Sequence, residues 1–430
     1  MRTFLFYLLG YFILISNAHA ILNIDIIGGK EENGQPIAIV PFHIQGGSRL
    51  PQDVAQIVSN DLYRSGRFSP MPKHILPEQP AQTHQIHFQR WQTVGMPHLV
   101  IGRISGGQVN GYRVEFELFD VYQKKRMIGF RYKATLQTLR QVAHKISDDI
   151  YRALTGERGV FSTRIVYVTE QKRVNQKQYH LYVADADGAN PRLMLRSYEP
   201  ILSPSWSPDG RRVAYVTYEM FEKGAKRMVV YIQEIGTGRR TRVSAKPGLN
   251  AAPAWSPDGK RLAFTLSQDG NPEIYVMNLY SRGLKRLTNH QAIDTEPEWA
   301  SDGRTIVFTS DRSGQPQIYR ISVNGGKAQR LTFHGSYNAR PRLSPDGSQL
   351  AVLHSSGRGY KIALLTLKTG QMKILSQTTL DESPSFAPNG SMIIYATGSE
   401  LAAVSVDGRV RQRLSVDMNA QVREPAWSPF

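Results

Sequence analysis

The sequence predicts a mainly β protein with a separate α/β domain. A C-terminal six-bladed β-propeller, closed by one strand from the end of the chain and three from its own start, follows a small N-terminal α/β domain. Three observations carry this reading. A Pro-x-Trp-like motif recurs six times in the last 230 or so residues. Runs of period-two alternation lie between the copies. The first third of the chain follows another pattern, with apolar residues at helical spacing.

The first twenty of the 430 residues stand apart. Arg2 precedes an apolar run from Phe4 to Ile15, and Ala18-His19-Ala20 ends it in an Ala-x-Ala cleavage pattern. This reads as a secretory signal peptide over 1–20, with an apolar core too short to span a bilayer. Residues 21–34 come next. Ile21, Leu22, Asn23, Ile24, Asp25, Ile26 and Ile27 have strand character, and a Gly-rich stretch follows. An apolar, β-prone segment on such a tether suits addition to the edge of a partner's sheet. Pairing within its own domain is the plainer alternative.

Residues 35–156 form the α/β domain. Ile37 to Phe42 is a strand. Val54, Ile57, Val58 and Leu62 repeat at the helical period, with Gly66 just beyond, so a helix runs over 51–63. Residues 70–85 hold four prolines and read as a loop. Leu99 to Ile104, Tyr112 to Val121 and Met127 to Ala134 are strands. Leu139, Val142, Ala143, Ile146, Ile150 and Leu154 mark a second helix, stopped by Gly156. Residues 157–163 are the linker to the propeller, 164–430.

The repeat is clearest at Pro204-Ser205-Trp206-Ser207-Pro208-Asp209-Gly210 and Pro253-Ala254-Trp255-Ser256-Pro257-Asp258-Gly259. Copies follow around Trp299, Leu343, Phe386 and Trp427, at steps of 49, 44, 44, 43 and 41 residues. Each full copy is followed by three short strands, such as Arg261 to Thr265, Glu273 to Met277 and Lys285 to Thr288, and the next Pro-x-Trp supplies a fourth. Four strands per unit of this length make a propeller blade. The last copy has no strands after it, and the strands over 164–195 have no copy before them. Joined, they complete a sixth blade. The Asp-Gly pairs are tight-turn residues rather than metal ligands, and the tryptophans are packing anchors.

Chemistry is harder to find. The chain has no cysteine, which excludes disulfides, thiolate metal sites and cysteine nucleophiles. It has no Gly-x-Ser-x-Gly elbow, no His-Glu-x-x-His, no phosphate-binding loop and no dinucleotide fingerprint. His84 and His87 have no evident third ligand and read as solvated. No catalytic residue, metal site or cofactor is therefore assigned. The charge is +18, from 53 basic and 35 acidic residues, which favours anionic partners, though an exported protein meets no nucleic acid. What remains is surface. The loops entering each Pro-x-Trp strand emerge on one face and carry Asp294, Glu296, Asp381, Glu382, Asp417 and Glu424 beside Asn250, Thr295, Tyr337 and Asn338. An acidic cluster on a basic body is a docking surface in one reading and a solvated rim in the other.

Taken together, the signal peptide, the α/β domain and the six repeats resemble the TolB family, the periplasmic component of the Tol–Pal system of Gram-negative bacteria. The most specific pieces are Asn250 to Gly259, Thr295 to Trp299, Leu380 to Gly390 and the terminal Pro425 to Pro429. The resemblance implies no catalysis and a monomer. It implies docking of the lipoprotein Pal around Asn250, Ala252, Thr295, Glu296, Asn338, Asp381 and Glu382, and of TolA through residues 21–32. It further implies a role in outer-membrane integrity and in constriction at cell division, contact with other outer-membrane proteins, and exploitation by colicins. Two other readings compete. A peptidase of the prolyl-oligopeptidase type needs a hydrolase domain with a serine elbow, and the chain reaches Phe430 within its last repeat without one. A binder of anionic envelope glycan or lipopolysaccharide would show binding that collapses with salt.

Overall fold

The computed structural model describes residues 23–28, 34–46, 50–172, 174, 176–415 and 420–430. The expected signal peptide, Ile21, Leu22, residues 29–33 and Asp417 lie outside the described residues.

The α/β domain is built on one mixed sheet. Its strands lie in the order Phe68–Pro70, Gln35–Ile39, His98–Gly107, Gly111–Asp120 and Lys125–Ala134, with His43–Ile44 beside His98–Gly107. The first three pair in parallel and the last three antiparallel. Helix α1 is Val54–Arg64, α2 is Phe88–Thr93 and α3 is Leu139–Thr155. Asp53 caps α1, accepting from the Gln56 N–H at 3.0 Å. Gly156 ends α3 with φ +78°, a conformation that suits a residue without Cβ.

Both faces of the sheet are covered. Val54, Val58 and Leu62 of α1 and Leu139, Ala143, Ile146 and Ile150 of α3 pack with Val100, Val114, Phe116 and Leu118 on one side. On the other side α2 buries Trp91 against Ala38, Val40, Leu99, Ile101 and Phe119. Each such large side chain contributes about 1.5–3 kcal/mol by leaving water. The sequence reading missed α2, because six residues are too few to show a helical period. Its anchor is polar as well as apolar. Trp91 Nε1 donates to Glu78 at 2.8 Å, and the same carboxylate accepts from the His87 N–H and pairs with its ring. His87 is thus bound to Glu78 rather than merely solvated. Burial raises the Glu78 pKa, but these hydrogen bonds outweigh it and hold the carboxyl below its ordinary value.

The rest of the described chain is a six-bladed propeller. Blade 1 runs from Leu202–Trp206 through Arg212–Met220 and Lys226–Glu234 to Arg240–Ser244. Blades 2 to 5 repeat this plan, opening with Asn250–Trp255, Asp294–Trp299, Tyr337–Leu343 and Asp381–Phe386. The Pro-x-Trp strand therefore opens its blade as the innermost strand, and pairs with the strand after it. It is not the fourth strand of the preceding unit. Blade 6 closes the ring: Ala420–Trp427 pairs antiparallel with Arg164–Lys172, outside which lie Lys177–Asp185 and Arg192–Ser197.

The repeated residues explain the ring. Trp206, Trp255 and Trp299 each donate their indole N–H to a carbonyl on the innermost strand of the preceding blade: Ala426, Ser205 and Ala254, at 3.0, 3.2 and 3.2 Å. Arg164, Arg212 and Arg261 lie over the same three rings, 4.6 to 5.1 Å from their centres. Each tryptophan thus ties two blades together. The Asp-Gly pairs are turns. Asp258 accepts from the Ser256 hydroxyl at 2.5 Å and the Lys260 N–H at 3.0 Å, and Gly259 takes φ +67°.

Candidate docking surfaces

Every innermost strand breaks register just before its proline. The residue at the break is left-handed in all six blades: Ser203, Ala252, Glu296, Arg340, Ser383 and Glu424, with φ between +49° and +55°. Such a conformation costs a non-glycine residue on the order of 1 kcal/mol or more. It recurs at the bulge of each innermost strand, directly before the proline.

Four of these six side chains meet. Arg340 Nη1 lies 3.2 Å from Glu424 Oε1 and donates to the Ser383 hydroxyl, and its Nε lies 3.4 Å from Glu296. The Arg340 backbone N–H donates to the second Glu296 oxygen at 2.9 Å. Glu424 first, and Glu296 next, hold the guanidinium well above its ordinary pKa. Burial pushes the Glu382 carboxyl up, against the pull of Arg340. The mouth of the channel is thus acidic, with one arginine shared between carboxylates.

The residues proposed from sequence divide here. Ala252, Thr295, Glu296 and Glu382 are half-buried at the mouth. Asn250, Asn338 and Asp381, two positions before the left-handed residue in their blades, are buried. Asn250 accepts from the Ser244 hydroxyl and donates to the Lys246 and Gly248 carbonyls. Asn338 bonds Gln317, the His334 carbonyl and the His354 ring. Asp381 accepts from the Ser376 and Thr378 hydroxyls. These three side chains shape the loops from below and do not line the surface.

Beside exposed His290, His334 and Arg358, these loops expose apolar side chains. Tyr198, Met220, Phe333 and Leu380 are 60–70% exposed on this face, with Ile293 and Tyr360 beside them. Sequence reasoning weighed only the polar residues of these loops. Ile293 and Leu380, each directly before a buried Asp, were the available signal. An apolar rim around an acidic mouth has the make-up of a protein-binding surface.

The second surface is the N-terminal strand, Asn23–Gly28. It pairs antiparallel with Arg411–Ser415, the outermost strand of blade 5, and extends that blade to five strands. The sequence alternatives were a partner's sheet or its own domain. The observed seat is on the propeller instead, where the α/β domain adjoins it. Gln412, opposite Ile26, donates through Nε2 to the Arg64 carbonyl at the end of α1, at 2.5 Å. Among the described residues, no helix is long and apolar enough to cross a membrane.

Comparison with known proteins agrees with this architecture. A model of the TolB amino-terminal domain matches residues 22–127, and one of the TolB β-propeller domain matches 151–430. The Tol-Pal system protein TolB of Nitrosococcus oceani is 52% identical over 427 residues, covering 98% of this chain and 96% of that protein. Its counterpart in Thioalkalivibrio sulfidiphilus is 50% identical, covering 98% and 97%. The crystal structure of TolB from Acinetobacter baumannii superposes with a TM-score of 0.86 at 43% identity, covering 95% of this chain and all of that one. Two domain models, relatives spanning nearly the full length and a shared three-dimensional plan converge: the chain belongs to the TolB family and is a component of the Tol–Pal system.

Proposed function

We propose that the chain is a non-catalytic periplasmic scaffold that docks the lipoprotein Pal on the mouth of the propeller and TolA through residues 21–32. The exposed apolar rim around the acidic mouth is the observation that carries the first part. Phe333, Leu380 and Met220 supply buried area on contact, and Glu296 and Glu382 supply charge selection. The second part rests on the strand Asn23–Gly28, which pairs through its backbone with an exposed edge. A segment held in this way pairs equally well with an edge presented by another protein. Held between two such partners, the scaffold would support outer-membrane integrity and constriction at division.

The test is capture from solubilised envelope extract by chain 21–430 beside chain 33–430, read by mass spectrometry. Pal with both baits, and TolA with the longer one alone, is the expected result. Capture of anionic glycan or lipopolysaccharide instead, lost on raising the salt, would favour the reading suggested by the +18 charge.

A further inference from the structure

A polar cluster lies apart from both surfaces, buried where the α/β domain meets the propeller. Helix α1 contributes Asp61 and Arg64, and α3 contributes Arg140, His144 and Ser147. Asp185 and Asp187 come from the propeller, at the turn after Lys177–Asp185. His144 and Asp61 are each 1% exposed. His144 Nδ1 lies 2.7 Å from Asp61 Oδ2, which also accepts from the Ser147 hydroxyl at 2.8 Å. The other Asp61 oxygen pairs with Arg64 at 3.0 Å. Across the domain boundary, Arg140 pairs with Asp187 through Nη2 and lies 3.5 Å from Asp185 through Nε. His144 Nε2 faces Asp187 at 3.7 Å and has no hydrogen-bond partner.

Charge decides what this arrangement holds. Three carboxylates face two guanidiniums. With a neutral imidazole, one negative charge is left over in a site nearly closed to water, and with an imidazolium the cluster balances. A histidine with two aspartates can also suggest a metal. Here, however, Arg64 and Arg140 already hold the two carboxylates, and a divalent ion would leave an excess positive charge. Burial lowers the His144 pKa, but Asp61 and then Asp187 outweigh it against opposition from Arg64, and the net shift is upward.

The cluster is joined to the seat of the N-terminal strand. Arg64, which binds Asp61 through its side chain, accepts the Gln412 amide through its carbonyl, and Gln412 stands opposite Ile26. We propose that protonated His144 latches the α/β domain to the propeller, and so holds the seat of strand Asn23–Gly28. Loss of the proton leaves Asp61 and Asp187 repelling across the boundary, and the latch opens. The consequence for a partner rests on the reading of that strand given above, whereas the latch does not. Because the folded-state pKa is raised, the stabilisation is complete below the unfolded value near 6.5 and is lost as pH rises through the folded one.

The absence of cysteine permits a direct test on the full mature chain. Spin labels on cysteines introduced at Val109 and Tyr280, both almost fully exposed, read the distance between the domains. A second pair at Asp25 and Tyr280 reads the seat. The expected result is one narrow distance for each pair at about pH 5.5 and broadening of both at about pH 9. His144→Gln should be broad at both pH values, whereas Asp187→Asn, which removes the surplus charge and leaves the bonds of Asp61 intact, should lose the broadening at about pH 9. Circular dichroism checks that both variants fold. Distances unchanged between these pH values in the parent chain, or a narrow distribution in His144→Gln, would overturn the latch. A response confined to the first pair would overturn its coupling to the strand. Failure to capture TolA would leave these distances as they are, so the two failures are separable.

Discussion

Trp427 donates its indole N–H to the Thr163 hydroxyl at 2.8 Å, across 264 positions of sequence. Its backbone N–H donates to Ser385 of the neighbouring blade at 2.9 Å. One residue thus ties the last strand to the linker just before Arg164–Lys172 and to blade 5. Removing residues 425–430 is expected to lower the thermal midpoint by far more than loss of an exposed tail. Trp427→Ala is expected to cost about 3–5 kcal/mol in urea denaturation. A truncated chain that melts like the parent would rule out closure by this strand.

Arg340→Met removes the cation that Glu296 and Glu424 share. Near neutral pH the loss is expected to be about 3 kcal/mol, because the carboxylates are left uncompensated. Without Arg340, burial and Glu424 push the neighbouring Glu382 carboxyl up further. The folded state takes up protons as pH falls, and the deficit shrinks on acidification. Urea denaturation at about pH 7.5 and pH 4.5 compares the two. An equal deficit at both would assign the effect to packing.

For docking, Phe333→Asp with Leu380→Asp should weaken Pal binding by about a hundredfold, roughly 2.7 kcal/mol, with the circular dichroism spectrum unchanged. Asp381→Ala should act mainly on stability, because that side chain bonds only inward. Calorimetry on both variants separates the roles. Full affinity in the double variant would move the site off this face.

Gly66 stands at φ +69°, and a Cβ there would fall 2.0 Å from Val410 Cγ2 on the propeller. Gly66→Ala is expected to destabilise the chain by about 2–3 kcal/mol through this clash and the backbone strain. Adding Val410→Ala should recover the part due to the clash. A double variant no more stable than the single one would show that the two domains do not press together here.

Acid stability should follow the turns. Hydrogen bonds from Ser256 and Lys260 hold Asp258 below its ordinary pKa, and Ser344 and Ser348 hold Asp346 there. Depressed carboxylates contribute stability above the unfolded value of 3.8, and it fades as pH falls through the folded one. Asp258→Asn should flatten that fall in denaturation midpoints measured down to about pH 2.5.

The propeller was legible because its repeats state the same local rule six times. Pro stands beside the bulge in all six copies, and Trp and the Asp-Gly turn each stand in four. The α/β core was legible from helical and alternating periods. What escaped was set by tertiary context. Helix α2 is one and a half turns held by Trp91 and Glu78, without a period of its own. Asn250, Asn338 and Asp381 looked like surface because loops are polar. Only the fold shows that their bonds point inward and that Phe333 and Leu380 stand exposed beside them. The cluster around His144 was invisible for the same reason, since Asp61, His144 and Asp187 lie on three separate elements.

The seat of strand Asn23–Gly28 has a kinetic and competitive consequence. The strand is covalently tied to the sheet it caps, so it meets that edge at an effective concentration on the order of millimolar. A free partner at micromolar concentration would need about a thousandfold better intrinsic affinity to displace it. Capture would also bare the Arg411–Ser415 edge. An intramolecular competitor of this kind makes the apparent affinity of any strand-binding partner a readout of how firmly the seat is held.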